Sequence, residues 1–442
     1  MKNIGLAAAA LLASTAIATA GGLDRSGQST SAIFNDDGTM GISLGVVMPR
    51  VTGSDHDNGT LSTGTASYDV GDNYTQFGLS FTNDISDTLS YGLIIDQPYG
   101  ANITYGGTGG NLTGTMADLS SQAVTMLLRY QFSERFSVFG GISVEGVQAD
   151  VALNGTSYAR SIAAGVVGQQ LVDGYYGPST EIPTEYLVGA LALGSNDADA
   201  AVQGYMQAAD PDPVNYATNY ANLQTAYNDT VAGFGATGGY SFSMEEDYSL
   251  GYVIGAAYEI PDIALRFAVT YRPETDHSAT TVENMFGTTV ASAVNYVTPA
   301  SLNVDFQTGI AADTLLTAGF RWTDFSAVDV VPTLLGSDLV NLDDAYRYSL
   351  GLARRFNENL AGSISIAYEP TGNGATVSPL GPTDGQLGLT IGGRYTEGNM
   401  SITGGINYTW LGDAFAGVAD QPVAYFSDNH AIGLGLRAEF TF

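Results

Sequence analysis

The sequence predicts an all-β fold: a transmembrane antiparallel β-barrel of about fourteen strands, with an N-terminal luminal plug and a partly helical outer loop. Three observations predict it. The final strand has one apolar and one polar face, the chain carries an export signal but no membrane-spanning helix, and its connections alternate between tiny and long.

The final strand is the clearest element. Ile432, Leu434, Leu436, Ala438, Phe440 and Phe442 share one face, and Gly433, Gly435, Arg437, Glu439 and Thr441 share the other. Successive side chains of a strand point to opposite faces, so this one has a greasy side and a wet side. Ending such a strand on a terminal aromatic suits the closing strand of an outer-membrane barrel.

The address lies at the other end. Lys2, an apolar run from Ile4 to Ile17 and the ending Ala18-Thr19-Ala20 describe a secretory signal peptide over residues 1–20. The run is too short for a spanning helix. Removing those 20 of 442 residues leaves 422, starting at Gly21. No other stretch has about 20 consecutive apolar residues. The chain is nonetheless 44% hydrophobic and only 13% charged, with 56 Gly and no cysteine. A membrane protein of this kind must be a closed barrel, because in lipid only helices and closed barrels satisfy their backbone groups.

Lys2 is the sole lysine, so the mature chain sets 13 arginines against 45 acids, a net charge of −32. Phosphate backbones need basic footprints, so nucleic acid is not an expected partner. Acidic outer loops account for the imbalance; binding of divalent cations that bridge lipopolysaccharide is a hypothesis for them.

Fourteen alternating segments follow, at about 40–52, 69–82, 88–96, 119–132, 135–149, 247–260, 262–273, 299–311, 313–329, 343–356, 358–369, 385–397, 399–411 and 430–442. Connections after even-numbered strands are minimal (Asn83–Asp87, Ser133–Glu134, Pro261, Ala312, Asn357, Gly398), whereas the others run from about 13 to 97 residues. Short periplasmic turns and long outer loops give this rhythm, with both termini in the periplasm. Residues 40–442 are therefore the barrel. The Gly/Ser-rich residues 21–39 precede it and are placed to fold into the lumen as a plug. The loop at about 150–246 carries Ala-rich stretches at 184–209 and 213–231 with helical spacing, and is expected to cap the outer mouth.

The alternation also orients side chains. With the apolar face toward lipid, Arg129, Arg266, Arg272, Arg321, Arg347, Arg355, Arg394 and Arg437 face the lumen, as do Glu145, Asp305 and Glu439. A lipid-facing arginine near the midplane would cost about 2–4 kcal/mol. Two uses of these arginines remain open. They pair with luminal acids and stiffen the barrel, or some of them, with Arg266, Arg321, Arg347 and Arg394 as the candidates, hold an anionic ligand head. Ile33 and Phe34 are apolar residues in an otherwise polar plug; they line an apolar pocket or make core contacts. Tyrosines and other aromatics near strand ends, among them Tyr68, Tyr74, Tyr91, Tyr130, Tyr248, Tyr346, Tyr368 and Trp410, are expected in interfacial girdles. The third strand meets Asp96-Gln97-Pro98-Tyr99-Gly100, where proline withholds a ladder hydrogen bond. Either the strand ends there, or Pro98, Tyr99 and Gly100 kink it and open the wall sideways.

Taken together, the chain resembles the FadL family of long-chain fatty-acid and hydrocarbon transporters. The resemblance rests on the plug segment Gly21 to Gly38, on Gln97-Pro98-Tyr99-Gly100, and on Tyr271-Arg272-Pro273-Glu274. It rests further on Pro299-Ala300-Ser301-Leu302, on Arg321-Trp322-Thr323-Asp324-Phe325-Ser326, and on the terminal strand. It implies a monomeric plugged barrel in outer-membrane lipid and lipopolysaccharide, inserted by the barrel assembly machinery through its terminal strand. It further implies capture of a hydrophobic small molecule at the outer face, an internal site and lateral exit at the kink. The plug is short and lacks the Asn-Pro-Ala stretch of that family. The runner-up is a general diffusion porin, which would need an outer loop folded in as a constriction and usually sixteen strands. An enzyme is not expected: His56, His277 and His430 fall in outer-loop positions without a strand-anchored nucleophile, and no short metal-ligand spacing occurs. No cofactor is expected.

Overall fold

The computed structural model describes residues 23–57, 61–62, 64–175, 213–340, 342–372 and 374–442. The signal peptide at 1–20 and the stretch at 184–209 lie outside these residues. Among them no helix is long and apolar enough to cross a membrane. The crossing is made by strands.

Fourteen strands form the wall: β1 (Thr39–Arg50), β2 (Tyr74–Ser86), β3 (Leu89–Asp96, resuming as Gly100–Thr104), β4 (Met116–Gln131) and β5 (Phe136–Leu153). They continue with β6 (Tyr240–Ile260), β7 (Leu265–Arg272, resuming as Thr275–Met285), β8 (Thr288–Thr298, then Ser301–Ala311), β9 (Thr314–Thr323) and β10 (Ala345–Arg355). The last four are β11 (Leu360–Glu369), β12 (Gln386–Glu397), β13 (Met400–Leu411) and β14 (Asn429–Thr441). Every neighbouring pair is antiparallel, and β1 pairs with β14 from Thr39–Thr441 to Arg50–His430, which closes the barrel. Closure leaves no free sheet edge for lipid to meet.

Period-two alternation sets the two faces. Leu436, Ile406, Ile254 and Leu128 stand outward and uncovered by protein, while Thr125, Arg321, Thr390 and Thr403 are buried on the inside. A belt of exposed Tyr130, Phe132, Tyr248, Tyr258, Tyr346, Tyr368 and Trp410 edges the apolar band, in keeping with a bacterial outer-membrane barrel. Two expected girdle residues sit elsewhere. Tyr68 is buried among the outer loops and Tyr74 is in luminal register opposite Val47, because both precede the lipid-facing part of β2.

The outer side holds structure that strand counting did not reveal. The upper parts of β7 and β8 form a hairpin that turns at Phe286-Gly287, both with positive φ, a two-residue turn that matches strand twist. Strand β9 ends at Thr323, short of residue 329, where the chain leaves the wall for the turn Phe325–Ala327. The segments Thr52–Asp55, Ser67–Asp69, Ala414–Val418 and Gln421–Phe426 build a separate four-stranded sheet. Against it pack α1 (Thr156–Tyr175) and α2 (Pro213–Ala236), through Ala163, Val167, Leu223 and Tyr227. Tyr105, Leu112 and Phe426 are fully enclosed in this cap. Proline opens α2 at the position where a missing N–H costs nothing.

Candidate functional site

The plug is the first described segment, Leu23 to Gly38, and it runs inside the barrel. Its serines and glycines leave the backbone free to bond the wall. Asn303 Nδ2 donates to the Gly27 carbonyl (2.9 Å), and Thr82 donates to the Ala32 carbonyl (2.6 Å). Thr30 and Thr270 share a hydroxyl contact of 3.0 Å. Asp24 forms a buried ion pair with Arg321, whose Nη1 also donates to Asn303 (2.8 Å) and whose Nη2 donates to Gln28 (3.2 Å).

The one-turn 3₁₀ helix Ser31–Phe34 seats the far end. Ile33 is closed off against Leu127, Ile94 and Val253. Phe34 lies between two guanidinium groups, with Arg129 Cζ 4.6 Å and Arg266 Cζ 4.5 Å from the ring centroid. Phe139 meets the same ring edge-on at 5.6 Å. The aromatic quadrupole attracts cations over its face, so two arginines clamp one plug side chain.

Beside the plug is a luminal cavity of about 210 Å³, lined by Phe34, Arg266, Asp305, Gln307, Arg321 and Arg347 together with other polar and apolar residues. Three of the four candidate arginines therefore converge on it, together with Phe34. Arg394 does not line it; it is paired with Glu439 at 2.9 Å, and Glu439 is shared with Arg437. Ile33 lines neither this cavity nor the smaller one by the wall, so its place is core contact. Arg129 and Arg355 likewise have acidic partners, Glu259 and Asp313.

The third strand neither ends nor runs straight. From Asp96 to Gly100 it advances four residues while β4 advances three, Ala123 to Ser120. The extra residue is a bulge. It keeps Asp96 inward opposite Ala123 but turns Gly100 outward opposite Ser120. Ser121 secures the bulge: its Oγ accepts from Tyr99 N–H (2.7 Å) and its hydroxyl donates to the Tyr99 carbonyl (2.9 Å). Tyr99 points inward and packs edge-on against Phe325 at 6.1 Å.

The bulge breaks the β2–β3 ladder. Pairing holds up to Leu79–Ile95 and resumes at Gly71–Ile103. Between these points no ladder pair forms among the described residues, and the Phe77 N–H donates instead to Gln97 Oε1 (2.8 Å). The result is a window in the wall. The plug pairs with its rim: Arg25 N–H donates to the Pro98 carbonyl (2.7 Å) and Gly100 N–H to the Leu23 carbonyl (2.9 Å). A smaller cavity of about 130 Å³ lies alongside, lined by Ser26, Ser29, Ser43, Phe77, Asp96 and Gln97 among others.

Of the three histidines, His56 lies in an outer loop just after the short strand Thr52–Asp55, and the other two sit on strands. His277 is buried on the upper part of β7, 3.0 Å from Asp247 and stacked on Tyr296. His430 opens β14 and stacks on Tyr408. Among the described residues no group of three or more His, Asp or Glu is placed to hold a metal ion.

No family model and no curated protein matches the chain. Solved structures do. A Pseudomonas aeruginosa FadL homologue superposes with a TM-score of 0.63 at 12% identity, covering 99% of this chain and 98% of that one. The Pseudomonas putida toluene transporter TodX gives 0.57 at 15% identity, covering 93% and 91%. The chain has the FadL-type fold. The Ralstonia pickettii toluene transporter TbuX agrees, at 0.55 and 14% identity over 93% and 91%. Against this FadL-type frame, the plug and its Phe34, the kinked third strand and the luminal arginines were marked by sequence. Arg25, Asp24 and Gln28 were not. The signal for Arg25 was present, since it is the sole basic residue of an otherwise Gly/Ser-rich segment.

Proposed function

We propose that this barrel takes up hydrophobic small molecules, fatty acids or hydrocarbons, across the outer membrane. The ligand is captured among the outer loops, held inside the barrel and released sideways at Pro98-Tyr99-Gly100. The wall window carries this reading: the plug crosses the lumen, and a gap in the β2–β3 ladder opens toward lipid. Lateral release suits an apolar ligand, since each CH₂ left in water costs about 0.8 kcal/mol. The toluene transporters of like fold, with the hydrophobic cargo their names give, support the class. Arg266, Arg321 and Arg347 with Phe34 form the internal site for any polar end of the ligand. The domain plan is a signal peptide at 1–20, a plug at 21–39 and a barrel at 40–442 with its outer loop at 150–246. The barrel acts as a monomer. Its apolar belt meets membrane lipid, its acidic rim meets lipopolysaccharide, and its last strand engages the assembly machinery.

The test is to close the window. Deleting Pro98 removes the bulge's extra residue, leaving Asp96 inward, Gln97 outward, Tyr99 inward and Gly100 outward, in step with β4. Uptake of a fluorescent fatty acid and of a labelled monoaromatic by cells is expected to fall to background, with the protein still folded by heat-modifiable gel mobility. Uptake at the unaltered rate for both would refute lateral release.

A further inference from the structure

The window is filled by one side chain of the plug. Arg25 leaves its backbone on the luminal side, where it bonds Pro98. Its guanidinium covers the ring of Tyr74, 3.9 Å from the centroid, and Nη2 donates to Asn102 Oδ1 at 2.7 Å. These partners belong to opposite faces of the wall. Tyr74 is in luminal register opposite Val47; Asn102 is in outward register opposite Asp118, to which its amide donates at 2.9 Å. The guanidinium therefore stands within the thickness of the wall. Gly100 confirms the position: it faces outward, and a Cβ there would collide with Arg25. The site encloses the cation: Arg25 is only 7% exposed, its Nη2 is satisfied by Asn102, and its Nε is left without a partner.

We propose that Arg25 is the latch of the wall window: its guanidinium, held between Tyr74 and the Asn102–Asp118 pair, keeps the gap shut until the plug withdraws it. A bare gap between β2 and β3 would let lipid tails contact the polar lumen. A charged group in the gap excludes them, since an apolar chain offers a guanidinium no hydrogen bonds. The remaining plug contacts do not use the Arg25 side chain: Asp24 pairs with Arg321, Phe34 lies between two arginines, and the backbone bonds of Leu23 and Arg25 to the rim persist, so the plug stays seated without this side chain. The transport consequence rests on lateral release as proposed above; the closure itself does not.

The chain has no cysteine, so a Ser43→Cys probe is unique. Ser43 is in luminal register and lines the small cavity behind the window. In proteoliposomes its labelling is followed with two reagents, a pyrene maleimide dissolved in the bilayer and a sulfonated maleimide in the buffer. Arg25→Ala should speed bilayer-borne labelling roughly tenfold or more, the worth of one charge-assisted hydrogen bond and one cation–π contact, and leave water-borne labelling unchanged. Asn102→Ala, a wall substitution that removes the Arg25 acceptor and leaves every plug residue in place, should act in the same direction and carries the test if Arg25→Ala fails to assemble. An unchanged bilayer-borne rate in the assembled variants overturns the latch. So does an equal rise with both reagents, which would make Arg25 an anchor of the whole plug. The two proposals fail separately: faster labelling combined with undiminished uptake after Pro98 deletion refutes lateral release and leaves the latch standing.

Discussion

Replacing Phe34 should unseat the plug, and the size of the effect follows from its surroundings. Phe34 is 6% exposed and packs with Phe139 at 5.6 Å. Truncating a buried Phe to Ala costs about 3–5 kcal/mol. Losing two cation–π contacts, with Arg129 and Arg266, adds about 0.5–2 kcal/mol each. The contacts overlap, so about 4–6 kcal/mol is a reasonable sum for Phe34→Ala, at least roughly a thousandfold in the unseated fraction. Phe34→Leu keeps most of the apolar volume and loses the ring, which amounts to about 1–3 kcal/mol, or roughly tenfold to a hundredfold. Ala32 is buried in the same turn, so the reactivity of an Ala32→Cys probe toward a water-borne maleimide reports the unseated population. The expected order is Phe34→Ala far above Phe34→Leu, and both above the parent. Labelling of Phe34→Ala at the parent rate would refute the clamp. Equal rates for the two variants would refute the division between packing and cation–π attraction.

Other consequences can be measured on the same scale. Asp24→Ala leaves Arg321 buried without its carboxylate, which should loosen the plug by about 3–5 kcal/mol; adding Arg321→Met should recover part of that loss in the same labelling assay. Ser121→Ala strips both backbone partners of Tyr99, and a loss of about 2–3 kcal/mol should appear as a lower unfolding midpoint in urea. Phe426→Ala should open the outer cap, at a cost of about 3–5 kcal/mol, seen as faster proteolysis of the outer loops with the barrel still heat-modifiable.

The wall was legible because lipid and lumen impose opposite demands on alternate residues, so strands, turns and inward arginines all follow from one period. The same period misses the outer structure. Residues 275–298 alternate too, yet they lie above the lipid band, where the hairpin's contrast is between buried and watery faces. The strands at 52–55 and 67–69 are too short to show any period. Register also fixes a face without fixing a direction around the barrel. Arg394 and Arg347 share the inward face, but only the structure shows that Arg347 reaches the cavity while Arg394 meets Glu439. Arg25 was the hardest to see, because its role depends on one surplus residue in β3 that turns Gly100 outward.

The resumption of pairing at Gly71–Ile103 has a mechanical consequence. A slit running to the end of two strands would let them peel apart, and the cylinder would lose its hoop strength whenever cargo passed. Here the aperture is framed like a porthole, laced below by Leu79–Ile95 and above by Gly71–Ile103. No ladder bond has to break for it to clear, so on the proposed lateral route the wall would stay stiff through every passage, and the small segment that fills the frame would set the tempo of release.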